Sequence, residues 1–261
     1  MPGQLRVDRP AEGVVRLTFA NPAKRNALDH AILDAITSAV AEHDDARCIL
    51  LTGEGAMFSA GYDLSDLPED GFAAAAEELV AHPFADALDA LEGTDVPTVA
   101  ALPGHAIGGG LELALVCDFR VAADTAKLGM PPAKLGLVYS HTGLRRFIDA
   151  IGINRTRELF LLGRYIDATT GLDWGLVNRV VDAEEVETTA LSLATKLAGN
   201  APLSLRGNKR VLRELLKAER ELDPAIEQEL IDLRHSCFDS EDFAEGVKAF
   251  AEKRPPRWQG R

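Results

Sequence analysis

Apolar and polar residues alternate over residues 5–9 and again over 14–19, with Pro10, Ala11, Glu12 and Gly13 between, which predicts two strands joined by a turn. From Asp29, a helix-capping residue type, Ile32, Leu33, Ile36 and Val40 return at helical spacing as far as the acidic run of Glu42, Asp44 and Asp45. Residues 48–52 and 97–102 are short apolar runs, the pattern of buried strands, and residues 119–122 read as another. Between the first two, residues 72–92 form an alanine-rich helical stretch interrupted at His82 and Pro83. Residues 128–132 read as a loop, 144–151 and 156–162 as helices parted by Gly152, 167–174 as a further helix and 177–181 as a short strand. Beyond that the pattern is helical throughout, over 184–197, 203–221, 224–237 and 241–253. The sum is an α/β chain with a helical tail, divided into a core over residues 1–200 and a helical region over 201–261.

A chain of 261 residues is long enough to bury one sizeable core. Its apolar runs fall short of a membrane-spanning helix, and its first residues lack the basic-then-apolar layout of a signal peptide, so a cytoplasmic protein is expected. Cys48, Cys117 and Cys237 are far apart and carry no metal-ligand spacing, which fits reduced core thiols. The net charge is −13, from 28 Lys and Arg against 41 Asp and Glu, and the field of such a chain repels nucleic acid and acidic membranes. Lys24 and Arg25 make one basic spot, and Lys248, Lys253, Arg254, Arg257 and Arg261 cluster near the end, where basic residues complement helix dipoles.

Chemistry concentrates where two apolar strands run into small-residue loops. The first loop reads Phe58-Ser59-Ala60-Gly61-Tyr62-Asp63-Leu64, at the strand end where parallel sheets place ligands. It is not a nucleophile elbow, because Met57 stands where G-x-S-x-G requires glycine. The second reads Gly108-Gly109-Gly110-Leu111-Glu112-Leu113-Ala114. Its glycines let backbone approach a ligand closely, and the N–H groups of a helix start suit developing negative charge. Glu112 is a lone carboxylate in an apolar helix, costly to bury unless something uses or pairs it. Taken alone, the same stretch also reads as a tight turn followed by a first-turn acid favoured by the helix dipole.

Together the two loops resemble the signature segments of the enoyl-CoA hydratase/isomerase (crotonase) superfamily. Asn21-Pro22, Asn26-Ala27-Leu28, Cys117-Asp118, Leu135-Gly136-Leu137, Glu245-Gly246, Ala249-Phe250, Glu252-Lys253-Arg254 and Pro256 extend the likeness from Leu5 to Trp258. The resemblance implies a crotonase-type spiral of ββα units, a helical C-terminal region used for trimerisation into a homotrimer or a dimer of trimers, and acyl-CoA thioester substrates of the kind found in fatty acid metabolism. Coenzyme A would enter as part of the substrate, with no separate cofactor and no metal. By motif position the N–H groups of Ala60 and Gly109 would hold the thioester oxygen as it becomes an enolate, and Glu112 would be the buried base. Tyr62, Asp63 and Leu64 match positions around adenine and pantetheine, with Lys24 or Arg25 near phosphate and Ala27 and Gly108 alongside. Phe250 and Lys253 would complete a neighbouring subunit's coenzyme A site.

Family hydratases carry a second glutamate where this chain has Pro132. Hydration divides water activation and proton delivery between carboxylates, and proline does neither. Loss of CO2 from a malonyl-type thioester yields the same enolate with no base to start it. The run from Met130-Pro131-Pro132 through Leu135-Gly136-Leu137-Val138-Tyr139 resembles the methylmalonyl-CoA decarboxylase branch, as do Phe58 to Leu67-Pro68 and Phe238 to Asp242, although that branch has histidine where Tyr62 stands here. Decarboxylation of a malonyl- or methylmalonyl-like thioester is therefore the expected reaction, with Tyr139 holding the leaving carboxylate, supplying a proton, or simply packing, and with His141 beside it. Hydration with Glu112 as the single carboxylate is the alternative, followed by thioester hydrolysis. Outside catalysis, an RNA-binding member or an inactive coenzyme A-binding scaffold stands against the acidic charge and the retained Ala60, Gly109 and Glu112.

Overall fold

The computed structural model describes residues 2–63, 80–220, 224–257 and 259. Leu64 and the first part of the helix expected over 72–92 lie outside the described residues. The strands are β1 (Gln4–Ala11), β2 (Val14–Ala20), β3 (Cys48–Gly53), β4 (Thr98–Leu102), β5 (Ala106–Ile107), β6 (Phe119–Ala123), β7 (Lys127–Gly129), β8 (Tyr165–Asp167) and β9 (Arg179–Val181). The helices are α1 (His30–Glu42), α2 (Ala85–Gly93), α3 (Gly109–Leu115), α4 (His141–Leu162), α5 (Ala168–Trp174), α6 (Val186–Ala198), α7 (Pro202–Arg220), α8 (Pro224–Phe238) and α9 (Glu241–Ala251).

The main sheet has the order β1-β2-β3-β4-β6-β9, with the β1–β2 hairpin antiparallel and every later pairing parallel. Strands β3 and β4 are apolar on both faces because α1 and α6 join the core around them, which explains their unbroken hydrophobic runs. Asp29 caps α1 as its residue type suggests, accepting from the Ile32 N–H at 2.9 Å, and Ile32, Leu33, Ile36 and Val40 are buried against the sheet. Gly152 (φ 78°, ψ 159°) breaks α4 into two helical halves where the pattern changes phase. Pro83 lies in a wide helical turn, Val80–Phe84, that runs directly into α2, because a residue without an N–H cannot continue the α-pattern.

One expectation is corrected. Residues 128–132 are not wholly loop: β7 ends at Gly129 and joins β5 and β8 in a second, three-stranded sheet. Strands of two or three residues are too short to show a period, and their pairing is set by distant chain. This small sheet positions the site, since β5 delivers the chain into α3.

Candidate active site

Backbone pairing lays the two glycine loops side by side. The N–H groups of Phe58 and Ser59 both donate to the His105 carbonyl at 3.1 Å, and Ile107 N–H donates to the Ser59 carbonyl at 3.0 Å. On its other edge the first loop pairs with the turn before α1, Leu28 N–H donating to the Gly61 carbonyl at 2.8 Å and Asp63 N–H to the Leu28 carbonyl at 2.9 Å. Asn26 braces the whole assembly. Buried and left-handed (φ 54°), it donates from Nδ2 to the carbonyls of Glu54 (2.8 Å) and Met57 (2.7 Å), and its Oδ1 accepts from Asn21 N–H at 3.0 Å.

The expectation for Ala60 is corrected by this pairing. Its N–H donates to the Arg25 carbonyl at 3.1 Å, and the single hydrogen on that nitrogen is therefore engaged within the protein. In the parallel bridge of Leu28 with Tyr62 the Gly61 carbonyl and Asp63 N–H face Leu28, so Tyr62 N–H faces the other edge, along which Gly109 lies; Gly61, at φ 94°, breaks the alternation that would otherwise give Ala60 and Tyr62 the same direction. Gly109 is the first residue of α3, where an N–H has no intrahelical acceptor.

Glu112, in the first turn of α3, is 1% exposed. Tyr139 donates its hydroxyl to Oε2, and Arg146 Nη1 donates to Oε1 at 3.0 Å. Burial pushes the Glu112 carboxyl above its usual range, while the Arg146 charge and the two donated bonds pull the other way. The Tyr139 phenol is driven well above its usual range, first by burial and then by the neighbouring Glu112, and Tyr62 is hydrogen-bonded to it as well. Arg146 also reaches Glu92 and Asp89 on α2.

These groups open onto a cavity of about 340 Å³, walled by Phe84, Leu88 and Leu137 and closed from α8 by Ile231 and His235. His141, the first residue of α4, faces the same cavity and meets Glu227 of α8 at 3.3 Å. A larger hollow of about 860 Å³ beside β1 and β2 holds charges that are already paired, Arg16 with Asp8 and Glu187 and Arg6 with Glu54. Among the described residues no His, Cys, Asp and Glu cluster is placed to hold a metal ion, and no helix is long and apolar enough to cross a membrane. Cys48 and Cys117 are buried thiols, each pushed up to about 12 by that burial.

Pro132 is buried and opens a short 3-10 turn; its carbonyl accepts from Leu135 N–H (2.9 Å) and Leu137 N–H (3.0 Å), which sets Leu137 in the cavity wall. Of the residues expected around coenzyme A, Lys24 and buried Asp63 pair with each other at 2.7 Å, Ala27 is buried, Arg25 is left-handed (φ 56°), and Gly108 caps α3. Tyr62, partly buried, lines the cavity and is hydrogen-bonded to Tyr139. Phe250 and Lys253 lie at the end of α9, Phe250 well exposed, and neither lines the cavity of the single chain.

Sequence reasoning missed Arg146 and Gly143. Both sit on the α4 face that meets Glu112, one helical turn apart, and a Cβ on Gly143 would lie 2.9 Å from Glu112 Oε1. The available signal was an arginine adjoining the buried position Phe147 at the start of a helix, which calls for an interior acid.

A buried carboxylate flanked by two backbone loops at parallel strand ends, set in this fold, defines an acyl-CoA-processing enzyme of the crotonase class. The chain belongs to the enoyl-CoA hydratase/isomerase family, whose model matches residues 9–261. It is similar to a probable enoyl-CoA hydratase (echA8) of Mycobacterium bovis, 36% identical over 248 residues and 94% of each chain. It is also similar to 2,3-dehydroadipyl-CoA hydratase of Escherichia coli, 34% identical over 251 residues, covering 95% of this chain and 96% of that one. Among solved structures, methylmalonyl-CoA decarboxylase in complex with 2-nitronate-propionyl-CoA matches with a TM-score of 0.89 at 28% identity over 98% of each chain.

Proposed function

We propose that this enzyme decarboxylates a malonyl- or methylmalonyl-type coenzyme A thioester. The observation that carries the reading is the state of Glu112: both oxygens are held, by Tyr139 and Arg146, and the second-glutamate position is a proline bracing its own loop. Such a site stabilises an enolate without two carboxylates gathered around a water. The bond between the α-carbon and the substrate carboxylate breaks, its electron pair forms the enolate, and CO2 leaves. The enolate oxygen takes hydrogen bonds from Gly109 N–H and, in place of Ala60, Tyr62 N–H; a donor of this kind is worth roughly 3 kcal/mol. The α-carbon then takes a proton from a water molecule, and the hydroxide left behind combines with the departing CO2 as bicarbonate; Tyr139, whose phenol is pushed well above its usual range and whose O–H is donated to Glu112, keeps its own proton.

Hydration with Glu112 as the single carboxylate is the second reading, favoured by the hydratase names of relatives at 34–36% identity. Side-by-side turnover of methylmalonyl-CoA and crotonyl-CoA separates the two. CO2 release without loss of the enoyl absorbance is the expected result; brisk hydration with no CO2 overturns it. Were hydration the reaction, Glu112→Gln would abolish it, whereas a decarboxylase would keep part of its activity in the same variant.

The same reading places coenzyme A phosphates near Lys24 and Arg25 and gives Phe250 and Lys253 to a neighbouring subunit's site. It includes assembly into trimers through the apolar face of α7, where Leu203, Val211, Leu212 and Leu215 are all exposed in the single chain. Light scattering on the purified protein checks it.

A further inference from the structure

The Arg146 guanidinium engages three carboxylates from two helices. Nη1 donates to Glu112 Oε1 at 3.0 Å, Nε and Nη2 both donate to Glu92 Oε2 at 3.0 and 2.8 Å, and Nη2 meets Asp89 Oδ1 at 3.3 Å. Its side chain is 12% exposed, against 1% for Glu112. The fork is thus fixed from behind by α2 while its free tine reaches α3. Gly143, one turn earlier, makes room for the contact: a Cβ there would approach Tyr139 Cε1 at 2.5 Å as well as Glu112.

We propose that Arg146 is a positioning residue that, braced by Glu92, keeps Glu112 ionised and turned toward Tyr139, so that the orientation of Tyr139 in the cavity is set from behind. A carboxyl group buried without a cation protonates instead. Protonated Glu112 carries a hydrogen on one oxygen, and the Tyr139 hydroxyl loses its charged acceptor. The groups facing Glu112 are Arg146 and His141 on α4, Glu92 and Asp89 on α2, Tyr139 and Tyr62 on the loops and His235 on α8. Of these, Arg146 is the cation bonded to it, and a guanidinium does not lose its proton in the working pH range.

The assignment rests on the proposed function only in placing Glu112 beside the reacting thioester. Infrared difference spectra against Glu112→Gln read the protonated carboxyl of Glu112 with no substrate present. The native protein is expected to lack that carbonyl band at neutral pH. In Arg146→Gln the band appears and its titration midpoint rises by about one unit or more. The acid limb of the turnover profile moves with it, and kcat at neutral pH falls about tenfold while KM stays within about twofold. Arg146→Lys keeps the charge, but one ammonium does not span Glu112 and Glu92, so the midpoint rises by about half a unit. A folded Arg146→Gln with no band and an unmoved profile overturns the proposal. Should Arg146→Gln fail to fold, Arg146→Lys carries the test, and a native midpoint there overturns it. Absence of CO2 release alongside the expected infrared result defeats the decarboxylase reading alone.

Discussion

The ring of Tyr62 rests against Gly109, where a Cβ would lie 2.8 Å from Cε1 and 3.0 Å from Cζ. That ring has little freedom to yield, because it packs edge-on to Phe84 at 4.7 Å and is hydrogen-bonded to Tyr139. Gly109→Ala therefore pushes apart the two loops whose N–H groups are to converge on one oxygen. The fold survives, since the clash is confined to the cavity wall. Turnover is expected to fall by about 100-fold or more with a melting temperature close to native, and unchanged kcat/KM on the accepted thioester would refute the geometry.

Much of the architecture was legible because long hydrophobic periods are local. Asp29 caps α1, Ile32 to Val40 bury one face, and β3 and β4 run unbroken through the core. Glu112 was legible for the same reason: a carboxylate inside an apolar helix stands out in one dimension. Three features were not. The sheet of β5, β7 and β8 consists of pairings two or three residues long between distant segments. The direction of an N–H is invisible in a sequence, so Ala60 and Tyr62, two residues apart, cannot be told apart until the pairing with Arg25 and Leu28 is known. Arg146 is adjacent to Arg145, which pairs outward with Asp149 at 2.9 Å, and only the helical phase decides which of the two turns inward.

Asn26 offers a test of how the first loop is held. Asn26→Asp preserves size and tolerance of the left-handed backbone, but replaces two donated bonds with a carboxylate facing the carbonyls of Glu54 and Met57. Loss of those bonds and repulsion at a buried position cost about 2–4 kcal/mol. The urea midpoint is expected to fall accordingly, and turnover with it. A native midpoint would mean that the loop is fixed by something other than Asn26.

Arg120 fastens the far end of the helix that carries Glu112. Almost fully buried, it donates from Nε to the Leu176 carbonyl at 2.7 Å and from Nη1 to the carbonyls of Leu115 (3.1 Å) and Cys117. These include carbonyls at the end of α3, where a helix has no partners of its own. Arg120→Met fills the volume but leaves those oxygens without their donor, at a cost of about 3 kcal/mol or more. Chemical denaturation should show the loss, whereas the pH dependence of turnover should stay native because Arg120 has no contact with Glu112. A shifted pH profile in a stable Arg120→Met would contradict that division of roles.

The C-terminal segment carries a charge device of its own. Helix α9 docks on the active-site loop so closely that a Cβ on Gly246 would lie 2.3 Å from the Leu135 carbonyl oxygen. Phe243 packs edge-on to Phe238, at a centroid distance of 5.0 Å, which secures the helix start. The chain after α9 is held by Glu245, which accepts two bonds from Arg254, at 2.6 and 2.9 Å, and one from Arg257 N–H at 2.6 Å. The Arg254 hydrogen bonds, more than any other contact, lower the Glu245 carboxyl from 4.5 to about 2. A folded-state value below the unfolded one means that this contribution is fully present above about 4.5, the unfolded value, and is lost as pH falls through about 2. The Arg257 amide resonance should therefore hold its native position well below the ordinary carboxylate range and move only as pH approaches about 2. In Arg254→Gln the same resonance should titrate near the ordinary value, because the main cause of the lowering is gone. A native midpoint near 4.5 would show that Arg254 does not hold Glu245 in solution and that the end of the chain is anchored by the packing of α9 alone.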